Sequence, residues 1–208
     1  MVKRIELKVK WIFDLVMAII SLVFVIPIII LTAIIIKINS PEDSPFFKQI
    51  RVGYKGKTFI INKLRTMTNE TDKNGNLLPD KKRLKKWGKI IRKLSIDELP
   101  QIFAIITRKM SWIGPRPLLP AEMKVMSQQE QKERQSMLPG ITGWEAVNEE
   151  KTDTRRGMAE YDLYYVRNWS LLFDLKILVL TVKKLLHADR ADEKHRAPKL
   201  EREEIDRE

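Results

Sequence analysis

Hydrophobic and polar positions divide the chain into an apolar run, a patterned middle and an unpatterned end. From Leu15 to Ile36, 22 residues pass without a charge. As a helix the run is about 33 Å long at ~1.5 Å per residue, enough for a hydrocarbon core of about 30 Å. It is apolar all round, unlike a helix set into the side of a soluble domain. It also exceeds the roughly 7–15 apolar residues of a signal peptide, and no A-x-A-like cleavage site follows. The pattern predicts one membrane-embedded helix. Pro27 falls near its middle. Proline lacks an N–H and clashes with the carbonyl four residues back, so a kink or break is expected there. Basic residues flank both ends: Lys3, Arg4, Lys8 and Lys10 before, Lys37, Lys48 and Arg51 after. Positive charge marks the cytoplasmic side of a membrane segment, and here it marks both ends. Two topologies fit: a kinked helix that enters and leaves by one face, and an ordinary proline-containing span.

Further on, Ser44 to Ile50 and Thr58 to Met67, separated by Gly53-Tyr54-Lys55-Gly56, predict a hairpin. Asn69 to Asp80, with Asn74-Gly75 and Pro79, predicts a loop. Between Lys81 and Leu94, apolar Leu84, Trp87, Ile91 and Leu94 recur at helical spacing among lysines and arginines. One apolar stripe opposite a cationic face fits an interfacial helix, and equally a basic solvated face over a soluble core. Beside the apolar run the interfacial arrangement is expected, with Leu84, Trp87 and Ile91 toward lipid and Lys82, Lys85, Lys86 and Lys89 toward headgroups. A short helix is expected over Ser95 to Ile106, irregular backbone over Trp112 to Pro120, and a polar helix over Ala121 to Met137. Pro139-Gly140 and Gly143 mark a loop. Tyr161 to Leu186 ends in a helix with Leu171, Leu172, Leu175, Leu178, Val179, Val182 and Leu186 on one side. After His187 the chain is charged and unpatterned, the composition of a disordered tail. The expected fold class is α+β, mostly helical. The expected organisation is a membrane helix over 1–38, one domain over 39–187 and a tail over 188–208.

Composition narrows the chemistry. The chain has no cysteine, which excludes a disulfide scaffold, thiolate metal sites and a cysteine nucleophile. Its two histidines, His187 and His195, stand near the end, which excludes a His-rich zinc cage. The net charge is +12 over 208 residues, and it is unevenly placed. Residues 37–95 alone carry 16 basic and five acidic groups. Such a block can meet nucleic acid, an anionic membrane surface or a phosphorylated substrate, and its place beside the apolar run favours the membrane.

Three groups of residues are candidates for chemistry. Ser95-Ile96-Asp97-Glu98 fits a capping box, with Ser95 as N-cap. Yet Pro100 falls where such a helix needs an early donor, and the pair follows the cationic block. An ionised aspartate at a helix start could also act as a nucleophile or hold a divalent cation. In Gly114-Pro115-Arg116-Pro117, two prolines bracket one arginine, which suits a preorganised phosphate ligand or a rigid connector. Lys63 and Arg65 alternate on the second strand and share a face, which meets a phosphate or only solvent.

Taken together, these blocks resemble the monotopic bacterial phosphoglycosyl transferases, also called bacterial sugar transferases. The resemblance runs from about Lys10 to Leu186. It rests on Ile12-Phe13-Asp14, Lys63-Leu64-Arg65-Thr66-Met67, Leu94 to Gln101 around the dyad, and Met110 to Pro117. Pro139-Gly140-Ile141-Thr142-Gly143-Trp144, and Tyr164-Tyr165-Val166 through Asp174-Leu175-Lys176, complete it. The resemblance implies a monotopic membrane protein with a re-entrant N-terminal helix broken near Pro27. It further implies a small cytoplasmic catalytic domain with interfacial amphipathic helices, on a bacterial inner membrane. It implies transfer of a phosphosugar from a UDP-sugar to a membrane polyprenyl phosphate, releasing UMP, as the first membrane step of glycan synthesis. Asp97 matches the nucleophile and a magnesium ligand, with Glu98 beside it, and Lys63, Arg92 and Arg116 match phosphate-binding positions. Mg²⁺ is the implied cofactor, membrane lipids are implied partners, and nucleic acid is not.

The chain also departs from the family pattern. Glu149-Glu150-Lys151 follows Val147-Asn148 where Gly-Arg-Asn or Gly-Arg-Asp is usual. Leu138 replaces a basic residue before Pro-Gly, and Arg108-Lys109 replaces Gly-Asp or Gly-Glu before Met-Ser. Arg155 or Arg156 could stand in for the missing arginine. Two other classes remain open on these residues: a membrane-tethered basic module binding nucleic acid or anionic lipid, and an inactive scaffold.

Overall fold

The computed structural model describes residues 2–148 and 154–187; the expected tail over 188–208 and the Glu149-Glu150-Lys151 departure lie outside the described residues. The fold is mostly helical. Its longest element, α1 (Val2–Asn39), continues as helix through Pro27. The carbonyl of Val23 loses its helical donor there. By length and composition, Ile5–Asn39 suffices to cross a membrane. The chain forms two compact units, and α1 contributes to both.

One unit takes Leu15–Gln49 and Ile60–Ile106. Besides α1 it contains the base of the hairpin formed by β1 (Phe46–Val52) and β2 (Thr58–Leu64). Then come α2 (Asp80–Arg83), α3 (Lys86–Lys93), a 3₁₀ turn over Ile96–Gln101 and α4 (Ile102–Ile106). Its core joins Ile29 and Ile36 of α1 to Leu64 of β2 and Ile91 of α3, with Val25, Ala33, Trp87, Ile96 and Leu99 packed against them. The single helix expected over Lys81 to Leu94 is two helices, because Leu84 adopts extended backbone (ψ 90°). Its apolar stripe also faces inward rather than toward lipid. Ile91 is buried and Trp87 packs on the same cluster, since α1 supplies an apolar partner. Gly88 permits this approach: a Cβ there would run into the carbonyl of Thr66. Around α3 and α4, Ile90, Leu94 and Phe103 face outward, so Leu94 departs from the inward-facing stripe.

The other unit takes the described residues before Leu15, Ile50–Phe59 and the described residues from Thr107 onward. It holds the hairpin tip, β3 (Ser111–Ile113), a 3₁₀ turn over Ala121–Val125, α5 (Gln128–Arg134) and β4 (Gly140–Thr142). It is completed by α6 (Trp144–Val147), α7 (Arg155–Asn168) and α8 (Leu171–His187). β3 and β4 pair in parallel, Ser111 opposite Gly140 and Ile113 opposite Thr142, where irregular backbone was expected. The polar helix expected over Ala121 to Met137 divides at Ser127. That residue caps α5 in a capping box with Glu130. One cluster buries Ile113, Met137, Tyr165, Trp169 and Ile177, and another buries Val52, Leu118, Met123, Met126 and Ala159. Most of the leucine stripe of α8 stays out of this core: Leu172, Leu175, Val179 and Val182 face outward, while Ile177 is buried and Leu178 packs against its cluster.

A buried polar network ties the start of α1 into this unit. Lys10 Nζ donates to Asp174 (2.7 Å), which also accepts from Tyr165 Oη (2.6 Å) and Trp169 Nε1 (3.1 Å). Ser111 Oγ donates to the Asp14 carboxylate (2.7 Å), and Trp112 Nε1 to the Asp14 carbonyl (3.1 Å).

Candidate active site

The Asp97-Glu98 pair sits just after α3. Leu94 N–H closes that helix on Ile90 O (3.1 Å), and Ser95 then turns into the left-handed region (φ 54°, ψ 22°). Ser95 makes no side-chain capping bond, so the capping box expected from its spacing does not form. A left-handed residue cannot present its hydroxyl to the next turn as an extended N-cap does. The chain continues into a tight 3₁₀ turn, with Glu98 N–H on Ser95 O (3.2 Å) and Pro100 buried inside it. Ile96 and Leu99, on either side of the pair, pack toward the α1 cluster.

Two predicted cations converge on the pair from separate elements of the same unit. Lys63, near the end of β2, donates to Glu98 Oε1 (2.8 Å). Arg92, in the last turn of α3, donates through Nε to Thr66 Oγ1 (2.8 Å). Arg92 and Lys63 both act electrostatically on Asp97. Burial pushes the Asp97 carboxyl up to about 6, the neighbouring Glu98 charge adds to the rise, and Lys63 and Arg92 oppose it. Asp97 is therefore a desolvated carboxylate beside two cations, ionised at neutral pH but less stabilised than one in water.

Not every predicted cation joins this group. Arg65 lies past the end of β2. It turns to Ser44 O (2.6 Å) and Asn69 Oδ1 (2.8 Å), so it does not share the task of Lys63. Arg116 belongs to the other unit, on the loop after β3, with a half-exposed side chain whose Nη1 is 4.0 Å from Glu145 Oε2. Arg155 is paired with Glu122 (2.8 Å), and Arg156 with Glu130 (2.7 Å) and Glu160 (3.1 Å). Pro27 is exposed on α1, two residues before the buried Ile29.

The structure adds residues that spacing did not single out. Asp162 and Arg134 form a buried pair under the Arg116 backbone, and Glu145 is buried beside its side chain. Asp162 had one legible signal, a carboxylate on the same face of α7 as buried Ala159 and Leu163.

The family described as bacterial sugar transferase matches residues 5–188. EpsL, an uncharacterised sugar transferase of Bacillus subtilis (strain 168), is 47% identical over 179 residues, covering 85% of this chain and 87% of that protein. The UDP-glucose:undecaprenyl-phosphate glucose-1-phosphate transferase of Escherichia coli (strain K12) is 37% identical over 180 residues. That alignment covers 82% of this chain and 39% of the relative. A UDP-N-acetylgalactosamine-undecaprenyl-phosphate N-acetylgalactosaminephosphotransferase of Aeromonas hydrophila is 35% identical, covering 83% of this chain and 42% of the relative. The chain thus spans most of the first of these and about two-fifths of the other two.

Proposed function

We propose, from the premise that this chain belongs to the bacterial sugar transferase family, that it transfers a phosphosugar from a UDP-sugar to a membrane polyprenyl phosphate. The observation that carries the proposal is the cluster of Asp97, Glu98, Lys63 and Arg92 on one 3₁₀ turn, one strand and one helix. An Asp97 carboxylate oxygen attacks the sugar-bearing phosphorus of the UDP-sugar. The bond from that phosphorus to the oxygen bridging to UMP breaks, and UMP leaves with the electron pair. An oxygen of polyprenyl phosphate then attacks the same phosphorus, forming the new P–O–P linkage and returning Asp97 as carboxylate. Burial favours the attacking role, because a carboxylate stripped of water is the more reactive nucleophile. Glu98, held by Lys63, is left to orient and to set local charge rather than to attack. Lys63, Arg92 and Arg116 are the groups assigned to phosphate oxygens.

Magnesium fits this donor set in one specific way. Among the described residues no three His, Cys, Asp or Glu side chains converge into a metal cage. Mg²⁺ does not need one, since it commonly takes one or two carboxylates with substrate phosphates and water. Asp97 would hold it, and when bound the ion would offset negative charge on the diphosphate. Two of the relatives named above are transferases of UDP-glucose and of UDP-N-acetylgalactosamine, so the family accepts more than one sugar.

For the membrane we propose a re-entrant α1 on the cytoplasmic face of the inner membrane, supported by basic residues at both ends; α1 runs unbroken through Pro27, whose missing donor marks where it would bend. Ile90, Leu94 and Phe103, not the buried stripe of α3, are the interfacial side chains beside the dyad. The test is UMP release from UDP-sugar by purified protein before any polyprenyl phosphate is added. A burst no larger than the enzyme, lost in Asp97→Asn, is expected. A folded Asp97→Asn protein that turns over normally would remove the mechanism.

A further inference from the structure

The loop that carries Arg116 is fixed in an unusual way, and all its anchors lie in one unit. Gly114 N–H donates to Thr142 O (3.0 Å), and Gly140 N–H to Pro115 O (2.9 Å). Pro115 is fully buried. Beyond it, Arg51 Nη1 donates to Pro117 O (3.1 Å), and Val52 N–H to Leu118 O (2.9 Å). Between these anchors, both polar backbone groups of Arg116 go to one ion pair. Its N–H donates to Asp162 Oδ1 (3.2 Å), and its carbonyl accepts from Arg134 Nη2. The same guanidinium donates to Asp162 Oδ2 through Nε (3.0 Å) and Nη2 (2.6 Å). Asp162 and Arg134 are 2% and 3% exposed, whereas the Arg116 side chain is 46% exposed.

A buried ion pair gains little net stability over apolar residues of the same volume. Its placement here has a more specific effect. Pro117 already restricts the backbone of the residue before it. With N–H and C=O also bound, Arg116 keeps little freedom except in its side chain. A guanidinium on such a root loses less entropy on meeting a phosphate. We propose that the Asp162–Arg134 pair is a positioning device for Arg116, holding its backbone so that the guanidinium meets the diphosphate of the nucleotide already oriented. The inference rests on the assignment of Arg116 to a phosphate.

The test uses the full-length protein in detergent with UDP and Mg²⁺ as the probe, so that no sugar need be known, and reads UDP affinity by titration calorimetry. Arg116→Ala should weaken UDP about tenfold or more, as expected for losing a charge-assisted contact. Asp162→Asn and Arg134→Lys should each weaken it about tenfold where Arg116 is present. Neither should add a further loss in an Arg116→Ala background. Arg167→Gln, which removes an exposed pair with Glu133 in the same unit, should change nothing. Thermal unfolding identifies folded variants, and if Asp162→Asn does not fold, Arg134→Lys and Arg134→Gln serve instead. Equal losses with and without Arg116 would show a merely structural pair and overturn the proposal. Sensitivity to Arg116 with indifference to both partners would overturn the proposal alone. Indifference to Arg116 would remove the phosphate assignment and the proposal together.

Discussion

At the scale of single residues, if Asp97 is the nucleophile proposed above, its titration should be visible in the rate. A nucleophile acts as its ionised form, so UMP release at low substrate should rise with pH through about 6, where burial and Glu98 have raised the carboxyl. Glu98→Gln removes one of the charges that raises it and should move the acid limb to lower pH. Lys63→Gln removes a charge that lowers it and should move the limb higher. Initial rates across the acid range separate the two. The same shift bears on stability. The folded carboxyl lies above its unfolded value of 3.8, so the folded state holds the extra proton between there and about 6. Stability contributed by that proton is present below the unfolded pKa and lost as pH rises through the folded one. Asp97→Asn should therefore be the more stable protein at neutral pH, by no more than about 3 kcal/mol, and indistinguishable from the parent below the window. Thermal unfolding in detergent at both ends of the window checks the sign.

Among elements, α3 depends on the absence of one side chain. Gly88→Ala places a methyl against the Thr66 carbonyl. It should cost about 1–3 kcal/mol of stability, read in thermal unfolding, as α3 is forced off the Thr66 backbone that follows β2. It should also lower turnover, because Arg92 rides on the same helix. The elements show where pattern is informative. The 3.6-residue spacing of Leu84, Trp87 and Ile91 identifies the helical segment correctly, but spacing cannot say whether lipid or α1 covers the stripe. β3 and β4 were illegible because three-residue strands leave no period, and their pairing joins Ser111 to Gly140 across an intervening helix. Ser127 formed the capping box and Ser95 did not, although both precede a glutamate by three residues. Pro100 is the local difference that spacing alone does not weigh. The dyad, Lys63 and Arg92 were legible as matching blocks; Asp162 and Arg134 were not, because their role lies in backbone contacts remote in sequence.

For the whole molecule, the membrane segment and its anchoring network set the remaining expectations. If α1 is re-entrant, single cysteines at Val2 and Asn39 should be labelled by an impermeant reagent from the same side of sealed vesicles. Opposite-side labelling would establish a span. Lys10→Met should cost about 3–5 kcal/mol, because Asp174 stays buried without its cation. Combining it with Asp174→Leu should recover part of that loss in unfolding experiments. The Lys10–Asp174 pair also sets a timetable for biosynthesis. Its members are 164 positions apart. At about 5–20 residues per second, Lys10 waits roughly 8–33 s for its partner to be polymerised. Ser111, which binds Asp14, arrives 97 positions after it. Through that interval the apolar run of α1 is already available to the membrane, while unpaired Lys10 and Asp14 favour water over burial. The apolar run of α1 thus becomes available to the membrane well before the Lys10–Asp174 pair can close. A chain that stops before Asp174 therefore leaves Lys10 without the carboxylate it is buried against.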